Sequence, residues 1–444
     1  MKTSRRDFIK KSTLGTAALT IGGMGMSAAS YRRIIGANDT LVLAAAGVNG
    51  RGIANIQAVL GCTGTEISHI CDVDSRAVNK GIEEVNKITG SKPAGIEDIR
   101  KLLENKSVDA ITIATPDHWH APMAIMAAKA GKHVYLEKPS SHNIHENKIL
   151  IEVYRKTGKV IQMGNQQRSA PTSIEAVDRI KGGDIGKPYF GKAWYANTRG
   201  SIGTGKKVPV PEWLNWELWQ GPAPRTEYRD NIVHYNWHWF WRWGTGELLN
   251  NATHEVDVCR WALDVDYPDK VSAMGGRFHH EGDDWEFYDT QVVNYQYGDD
   301  KLITWEGKSC NGMKDYTMGR GALIQGTTGS FVLHRNGYEM YDLSGKLVEK
   351  KEETGVSETT GTMGSGSLDV LHMHNFLEAI RKETKLNSPI DDGAVSVNLC
   401  HLGNVSQQVG RMLHINVKTG EVTRDEEAIA LMSRDYEPGW EPTL

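Results

Sequence analysis

Short apolar runs alternate with helical patterns in the first part of the chain. Leu41–Ala46 is a continuous apolar run, as expected for a strand that is covered on both faces. A glycine turn and a helical pattern follow it, and further strands are predicted up to Asp72, over 109–115 and up to Glu137. Strands that alternate with helices predict a parallel sheet, which binds ligands at the carboxyl ends of its strands.

The apolar pattern changes to a period of two from Val271 onward. Val293, Tyr295 and Tyr297 alternate with polar residues, and Asn-Gly and Ser-Gly pairs mark turns. This pattern predicts an antiparallel sheet with one polar or partner-facing side. The polar segment 350–367 is predicted to be a loop, and amphipathic helices are predicted after it.

The two patterns together predict an α/β chain with two domains, for which 444 residues are sufficient. Residues 38–160 are expected to form an N-terminal, doubly wound parallel sheet of the Rossmann type. Residues 161–415 are expected to form an α+β domain with a large, open and mostly antiparallel sheet. The charged tail, 416–444, is expected to wrap a surface.

Residues 1–29 read as a twin-arginine signal peptide. Arg5 and Arg6 are followed by Phe8, a weakly apolar stretch and a small-residue end at 27–29. The signal predicts that the folded protein is carried into the periplasm by the twin-arginine export machinery. If the signal is not cleaved, it becomes a membrane anchor; the alternative is a basic tail with a buried helix.

The charge and the cysteines exclude some classes of partner. Residues 1–29 carry five basic residues and one acidic residue, so removing them takes the net charge from −4 to near −8. An acidic chain without a basic run argues against nucleic acid. The five cysteines show no disulfide or zinc spacing, and the spacing of the histidines at 234, 238, 279 and 280 matches no metal site, so no metal is predicted.

The turn after the first strand resembles a dinucleotide-binding fingerprint. Residues 47–52 follow G-x-G-x-x-G, with Asn49 in place of the second glycine. Asp72 ends the second strand, where a carboxylate accepts hydrogen bonds from the adenosine ribose. An acid there repels a 2′-phosphate, so NAD is favoured over NADP, although Arg76 nearby leaves NADP open.

The stretch "IATPDHWHAPMAIMAAKAGKHVYLEKP" at 113–139 resembles the signature of the Gfo/Idh/MocA oxidoreductases, which include glucose–fructose oxidoreductase and inositol dehydrogenase. The resemblance extends from about residue 38 to 415. In that family the lysine of E-K-P lies beside the nicotinamide and the substrate hydroxyl, which here is Lys138. The fingerprint, the strand ends and the resemblance together assign cofactor binding to Gly47, Asn49, Gly50, Arg51, Asp72, Thr115, Pro116, His118, His120, Glu137, Lys138, Asn165 and Gln166.

The stretch "YNWHWFWRWGTGELLNNATHEVDVCRWAL" is predicted to be helical over 247–263. By resemblance, His254 matches the histidine of the family that accepts the proton of the substrate hydroxyl. Asn250 stands where the family usually has an aspartate, so it could only orient His254 or a substrate hydroxyl. The resemblance therefore assigns Lys138, His254 and Asn250 to catalysis.

The tryptophans of this stretch suggest a sugar substrate. Aromatic rings stack on the C–H faces of sugars, although a tryptophan-rich core between the domains is an equal alternative. Asp257 is taken as structural or substrate-orienting, and Arg168 is placed near the substrate by resemblance. The predicted substrate contacts are Arg168, Trp237, Trp241, Trp243 and Asp257.

The resemblance implies an oxidoreductase that moves a hydride between NAD and a hydroxyl of a sugar, polyol or glycoside, giving a keto-sugar. Export implies that NAD is loaded before transport and held tightly. One alternative is an NAD-dependent glycosidase that oxidises, eliminates and reduces again; its known members lack the E-K-P lysine. The other is a non-catalytic sugar-binding protein. The family also implies a homo-oligomer through the C-terminal sheet.

Overall fold

The computed structural model describes residues 40–353, 366–382 and 384–444. The predicted signal peptide and most of the predicted loop at 350–367 lie outside the described residues. Residues 41–444 form one unit.

The N-terminal sheet has six parallel strands in the order β3-β2-β1-β4-β5-β6, which is the Rossmann order. The predicted fold is therefore confirmed, although β6 pairs with β5 just beyond the boundary expected at 160. The strands are Leu41–Ala46 (β1), Thr65–Cys71 (β2), Ala94–Ile96 (β3), Ala110–Ile113 (β4), His133–Leu136 (β5) and Ile161–Met163 (β6). The helices between them are Arg51–Leu60 (α1), Ser75–Thr89 (α2), Ile99–Leu103 (α3), Asp117–Lys129 (α4) and Ile144–Thr157 (α5).

The C-terminal sheet has nine strands in the order β14-β13-β12-β11-β7-β10-β9-β8-β15. Only β7 and β10 are paired in parallel, so the sheet is mostly antiparallel, as predicted. Its strands are Pro188–Ala196 (β7), Lys270–Gly276 (β8), Thr290–Tyr297 (β9), Lys301–Lys308 (β10), Arg320–Gly326 (β11), Gly329–His334 (β12), Gly337–Asp342 (β13), Leu347–Glu352 (β14) and Leu413–His414 (β15). The remaining helices are Pro171–Gly182 (α6), Trp216–Gln220 (α7), Thr253–Leu263 (α8), Ser367–Lys382 (α9), Ile390–Val409 (α10) and Glu426–Ala430 (α11).

Helices from the C-terminal part complete both cores. Helix α8 packs on β7 and β11, and α10 packs on β8. Helix α9 returns to the parallel sheet, where Met373, Phe376 and Leu377 share a core with β1 and α1. The tail ends on α4, where Trp440 packs edge-on against Trp119. Several separate segments of the C-terminal part therefore pack against the N-terminal domain.

One turn of π-helix, Leu248–Ala252, precedes α8. The sequence pattern predicts a regular helix from 247, but the wider turn changes which side chains share a face. Wider turns of this kind occur mostly at functional sites. Here the turn and the start of α8 are directed toward the parallel sheet.

Within the described ranges, every helix is either too short or too polar to cross a bilayer.

Gly47 begins the turn between β1 and α1 and has a positive φ of 74°. A Cβ atom there would lie 2.6 Å from the backbone of Ala114 and Thr115. Gly90 has nearly the same φ, 75°, but a Cβ atom added to it would meet nothing within 4 Å. Substitutions at these two glycines therefore separate the free-energy cost of a left-handed conformation from the free-energy cost of close packing.

We expect Gly90→Ala to lower the free energy of unfolding by about 1 kcal/mol, the cost of the left-handed conformation alone. Gly47→Ala should cost about 1–3 kcal/mol more, because the added methyl group must displace backbone atoms. Urea unfolding followed by tryptophan fluorescence measures both. Equal losses would show that the contact with β4 is not as close as described.

Candidate active site

A cleft of about 750 Å³ lies at the carboxyl ends of the parallel strands. One end is formed by the turn between β1 and α1 and by the residues that follow β2 and β3. The other end is formed by the π turn and by residues of the C-terminal sheet. Most of the predicted cofactor residues line this cleft: Gly47, Asn49, Gly50, Arg51, Asp72, Thr115, Pro116, His120, Glu137, Lys138 and Gln166.

The turn at 47–52 has the form of a phosphate cradle. Helix α1 has no side-chain cap at its N-terminus, so backbone N–H groups of its first turn are open to an anion. A Cβ atom on Gly52 would lie 1.9 Å from the carbonyl oxygen of Gly47, so only glycine allows this tight turn. These features fit a bound dinucleotide.

Asp72 stands beside this cradle. Its carboxylate accepts hydrogen bonds from the backbone N–H groups of Val48 (2.8 Å) and Asp74 (3.0 Å). Burial raises its pKa, although both hydrogen bonds oppose the shift. The carboxylate is thus fixed at the end of the cleft where the adenosine ribose is expected.

Arg76, the residue that left NADP open, is engaged elsewhere. Its guanidinium forms an ion pair with Asp74 and lies 3.3 Å above the ring centre of Trp213. It does not line the cleft. Three acidic side chains line this end, Asp72, Glu97 and Asp98, and they disfavour a 2′-phosphate.

Glu137 lies under the middle of the cleft. It accepts a hydrogen bond from Arg51 (2.8 Å) and another from Gln166 (3.3 Å). Burial raises the pKa of Glu137, but the charge and hydrogen bond of Arg51, together with the charge of Lys138, outweigh burial and hold the pKa below its ordinary value. Arg51 in turn donates to Asp369 of α9, so α9 supports the floor of the cleft.

Lys138 follows Glu137 and reaches across to the π turn. Its amino group donates to the backbone oxygen (2.6 Å) and the side-chain oxygen (3.2 Å) of Asn250. Burial lowers its pKa to about 8, against the opposing charges of Glu137 and Asp117. A lysine with this pKa can give and take a proton near neutral pH.

His254 lies one helical turn after Asn250 and also lines the cleft. It is buried, and no residue that the structure describes hydrogen-bonds to its ring. Burial lowers its pKa well below the ordinary value, and the charges of Arg335 and Lys138 lower it further. The imidazole is therefore neutral and can accept a proton.

Asn250 links Lys138 to a residue that the sequence motifs did not indicate. Its amide nitrogen donates to the hydroxyl oxygen of Tyr235 (3.2 Å). Tyr235 is 38% exposed and lies on the cleft wall. Because its oxygen accepts from Asn250, the hydroxyl proton of Tyr235 is free to be donated to a ligand.

Other residues of the cleft were also missed by sequence reasoning. Asp117 is buried, accepts a hydrogen bond from Thr245, and has a pKa that burial raises to about 7. Three arginines come from separate parts of the C-terminal domain. No local motif marks them, since only the fold brings them together: Arg199, Arg320 and Arg335.

Six predicted site residues do not line the cleft: His118, Asn165, Arg168, Trp241, Trp243 and Asp257. Arg168 and Asp257 form a buried ion pair with distances of 2.7 and 2.9 Å, so each satisfies the other instead of a substrate. His118 is buried and contacts the backbone oxygens of Trp219 and Trp243.

The predicted tryptophans differ from one another in position. Trp243 packs edge-on against Trp216 and Trp219 in a small buried core. Trp241 packs against Phe287, and its ring is outside the cleft. Trp237 is the one predicted tryptophan that lines the cleft, with His238 stacked on its ring at 3.5 Å.

One group of side chains outside the cleft has the composition of metal ligands. The ligand atoms of His279, His280 and Cys310 lie within 4.8 Å of one another. One ring nitrogen of His280 already contacts the backbone oxygen of Arg199. The expectation of no metal in this protein stays a prediction.

Family models match both domains. The model described as "Oxidoreductase family, NAD-binding Rossmann fold" matches residues 43–165. The model described as "GFO/IDH/MocA C-terminal domain" matches residues 223–332. Together they match slightly more than half of the chain. The chain belongs to the Gfo/Idh/MocA family, and its N-terminal domain is an NAD-binding Rossmann domain.

Curated relatives carry the names of glycosidases. A glycosyl hydrolase family 109 protein of Saccharopolyspora erythraea is 29% identical over 253 residues, which are 51% of this chain and 55% of the relative. The chain thus spans about half the length of that relative. Another, from Shewanella baltica, is 22% identical over 88% of this chain and 90% of its own length. An alpha-N-acetylgalactosaminidase of Shewanella oneidensis is 26% identical over 43% and 45% of the two chains.

Solved structures share the fold. The WlbA dehydrogenase of Bordetella pertussis, in complex with NADH and UDP-GlcNAcA, matches with a TM-score of 0.61 and 18% identity, covering 85% of this chain and 99% of that one. An oxidoreductase domain protein of Kribbella flavida matches with a TM-score of 0.65 and 18% identity, with the same coverage.

The environment of Lys138 predicts how its reactivity depends on pH. The amine reacts with acetic anhydride only when neutral, so its labelling rate should be half-maximal near pH 8. In Asp117→Asn the midpoint should move to lower pH, because a negative charge that favours the protonated amine is removed. Mass spectrometry of the peptide that contains Lys138 measures the rate. A midpoint at the ordinary lysine value in both proteins would contradict the described burial.

Proposed function

We propose that this protein is an NAD-dependent glycosidase, which oxidises a ring carbinol of a glycoside, eliminates the aglycone and reduces the sugar again. The observation that carries the proposal is that one cleft holds several separate proton-transfer groups, Lys138, His254 and Tyr235. Plain oxidation of a carbinol needs one proton acceptor, whereas elimination needs a second base and an acid. The glycosidase names of the curated relatives support the same choice.

The cofactor would lie along the parallel-sheet side of the cleft. The turn at 47–52 would hold its phosphates and Asp72 its adenosine ribose, with Gln166 and Glu137 toward the nicotinamide. When bound, NAD takes a hydride from a carbinol carbon and can give it back. The acidic adenosine end and the engaged Arg76 favour NAD over NADP.

The residues of the cleft would divide the proton transfers. His254 is neutral and takes the hydroxyl proton of the carbinol as this becomes a ketone at C3. The ketone acidifies the hydrogen at C2, and neutral Lys138 removes it. The electron pair of the C2–H bond then forms a C1–C2 double bond, and the C1–O bond to the aglycone breaks.

The hydroxyl of Tyr235 would donate the proton that the departing aglycone oxygen requires. Water would then add at C1 and return a proton to the Tyr235 phenolate. C2 would regain its proton from Lys138, and the ketone would return to the alcohol with the proton held by His254. Asn250 neither gives nor takes a proton in this scheme. It holds Lys138 and Tyr235 in place through the three hydrogen bonds described above.

The second candidate is an oxidoreductase that releases a keto-sugar, as the E-K-P motif suggests. Lys138 itself favours this candidate, because the resemblance implies that the redox glycosidases of the family lack that lysine. Both candidates use the same cofactor and the same sugar contacts. They differ only in whether the reduced cofactor is reoxidised by the same sugar within one turnover.

The proposed location is the periplasm, reached by twin-arginine export with NAD already bound. Oxidation and re-reduction of the same sugar regenerate the bound NAD, which suits a compartment where lost NAD is not replaced. We further propose a homo-oligomer formed through the outer face of the C-terminal sheet. Met274 and Val292 are neighbours on β8 and β9 and are 80% and 41% exposed, so this face offers apolar surface.

The first experiment uses mature protein from the periplasm of a host with a working twin-arginine pathway. A panel of nitrophenyl glycosides is added while nitrophenol and the nicotinamide absorbance are recorded together. We expect nitrophenol release without accumulation of NADH. His254→Gln and Lys138→Met should each lower the rate by roughly 100-fold or more, while Arg155→Gln, an exposed arginine outside the cleft, serves as the control.

The alternatives give different signals in the same experiment. NADH that accumulates with a sugar, without release of nitrophenol, would establish the oxidoreductase instead. A protein that carries no nucleotide and takes up none when NAD is supplied would overturn both candidates and leave a sugar-binding protein.

A further inference from the structure

Charge is divided along the cleft. Three carboxylates, Asp72, Glu97 and Asp98, line its adenosine end, while Glu137 and Asp117 lie near Lys138. The other end is lined by the side chains of Arg199, Arg320 and Arg335. The proposed function places the nucleotide at the acidic end, so the cationic end would face the substrate.

Two of the three arginines at this end are already neutralised. Arg320 makes a two-point ion pair with Glu255, at 2.7 and 2.9 Å, and a third hydrogen bond to Asn251. Arg199 is paired in the same way with Glu247, at 2.6 and 3.2 Å. Both carboxylates are buried behind the cleft wall, so these two arginines are held in place by the protein itself.

Arg335 differs from both. It lies in the turn between β12 and β13 and points into the cleft, yet it forms no ion pair or hydrogen bond with any residue in the described ranges. Its Nε atom is buried without a partner. Burial and the neighbouring charge of Arg320 lower its pKa to about 9. An unpaired, partly buried guanidinium is costly unless a ligand supplies the missing anion.

We propose that Arg335 binds a carboxylate or sulfate group carried by the sugar, so that the substrate is an acidic glycoside. The guanidinium fork matches the two oxygens of such a group. Arg335 is the charged residue that acts most strongly on His254. The anionic group therefore lies close to the carbon that His254 serves.

The phosphates of the cofactor are the other anions that enter this cleft. The Rossmann fold places them at the turn between β1 and α1, where Arg51 and the open end of α1 lie. Arg335 comes from the C-terminal sheet, although Arg51 is among the charged groups that act on it, so loss of NAD from Arg335→Gln is one outcome of the test. The assignment of the anion to the substrate rests on the proposed function, whereas the anion site itself does not.

Calorimetric titration of the NAD-loaded protein tests the inference without turnover. The probes are D-glucuronate and D-galacturonate for a carboxylate, D-glucose 6-sulfate for a sulfate, and D-glucose and D-galactose as neutral references. We expect at least one acidic sugar to bind roughly 10- to 100-fold more tightly than its neutral reference. Arg335→Gln should abolish this preference, Arg335→Lys should keep part of it, and Arg155→Gln should leave it unchanged.

Each outcome separates the anion site from the catalytic proposal. Uronate binding that depends on Arg335, in a protein that releases no aglycone, would contradict the proposed function but support the anion site. Equal affinity for acidic and neutral sugars, or loss of NAD from Arg335→Gln with unchanged sugar affinity, would overturn the anion site. If Arg335→Gln does not fold, the preference of the wild type must weaken with rising salt, and a salt-independent preference would contradict the inference.

Discussion

The amino group of Lys138 binds both oxygens of Asn250, and this contact joins the parallel sheet to the C-terminal domain at the point where the chemistry is expected. Lys138 ends a buried strand, and Asn250 lies in a π-helical turn that a regular helix would not reproduce. The contact buries the amine, which lowers its pKa to about 8.

The electrostatics of the cleft follow from this junction. Burial and neighbouring cations keep His254 neutral, while Glu137 and Asp117 keep the pKa of Lys138 from falling further. The acids that line the cleft come from the parallel-sheet domain together with Arg51 and Lys138, whereas Arg199, Arg320 and Arg335 come from the C-terminal domain. A nucleotide and an acidic sugar would each meet the end that suits it. The proton-transfer groups Lys138, His254 and Tyr235 lie between these two ends.

Much of the parallel-sheet side could be predicted from sequence, because its chemistry is local. The glycine turn, Asp72 and Lys138 each follow directly on a strand, and the carboxyl ends of parallel strands meet at one edge. The same argument could not reach Arg199, Arg320 or Arg335. Each of them is an ordinary arginine in a segment without a motif, and only long-range packing places it on the cleft.

The expectations that did not reach the cleft have a common physical reason. Arg168, Asp257 and Trp243 are of residue types that bind sugars, but the same types also satisfy one another inside a protein. Arg168 pairs with Asp257, and Trp243 packs against other tryptophans. Residue type and spacing do not show which partner is present. The π turn could not be predicted, because an irregular apolar pattern does not distinguish a widened turn from a regular helix.

The central claim is that oxidation and reduction happen on the same sugar within one turnover. Its most direct measurement uses a glycoside with deuterium on C3, hydrolysed by the NAD-loaded protein in ordinary water, with mass spectrometry of the released sugar. The account predicts that the sugar keeps the C3 deuterium and that, in heavy water, unlabelled glycoside gains deuterium at C2. Loss of the C3 label to a second sugar or to the cofactor pool, with no exchange at C2, would contradict it.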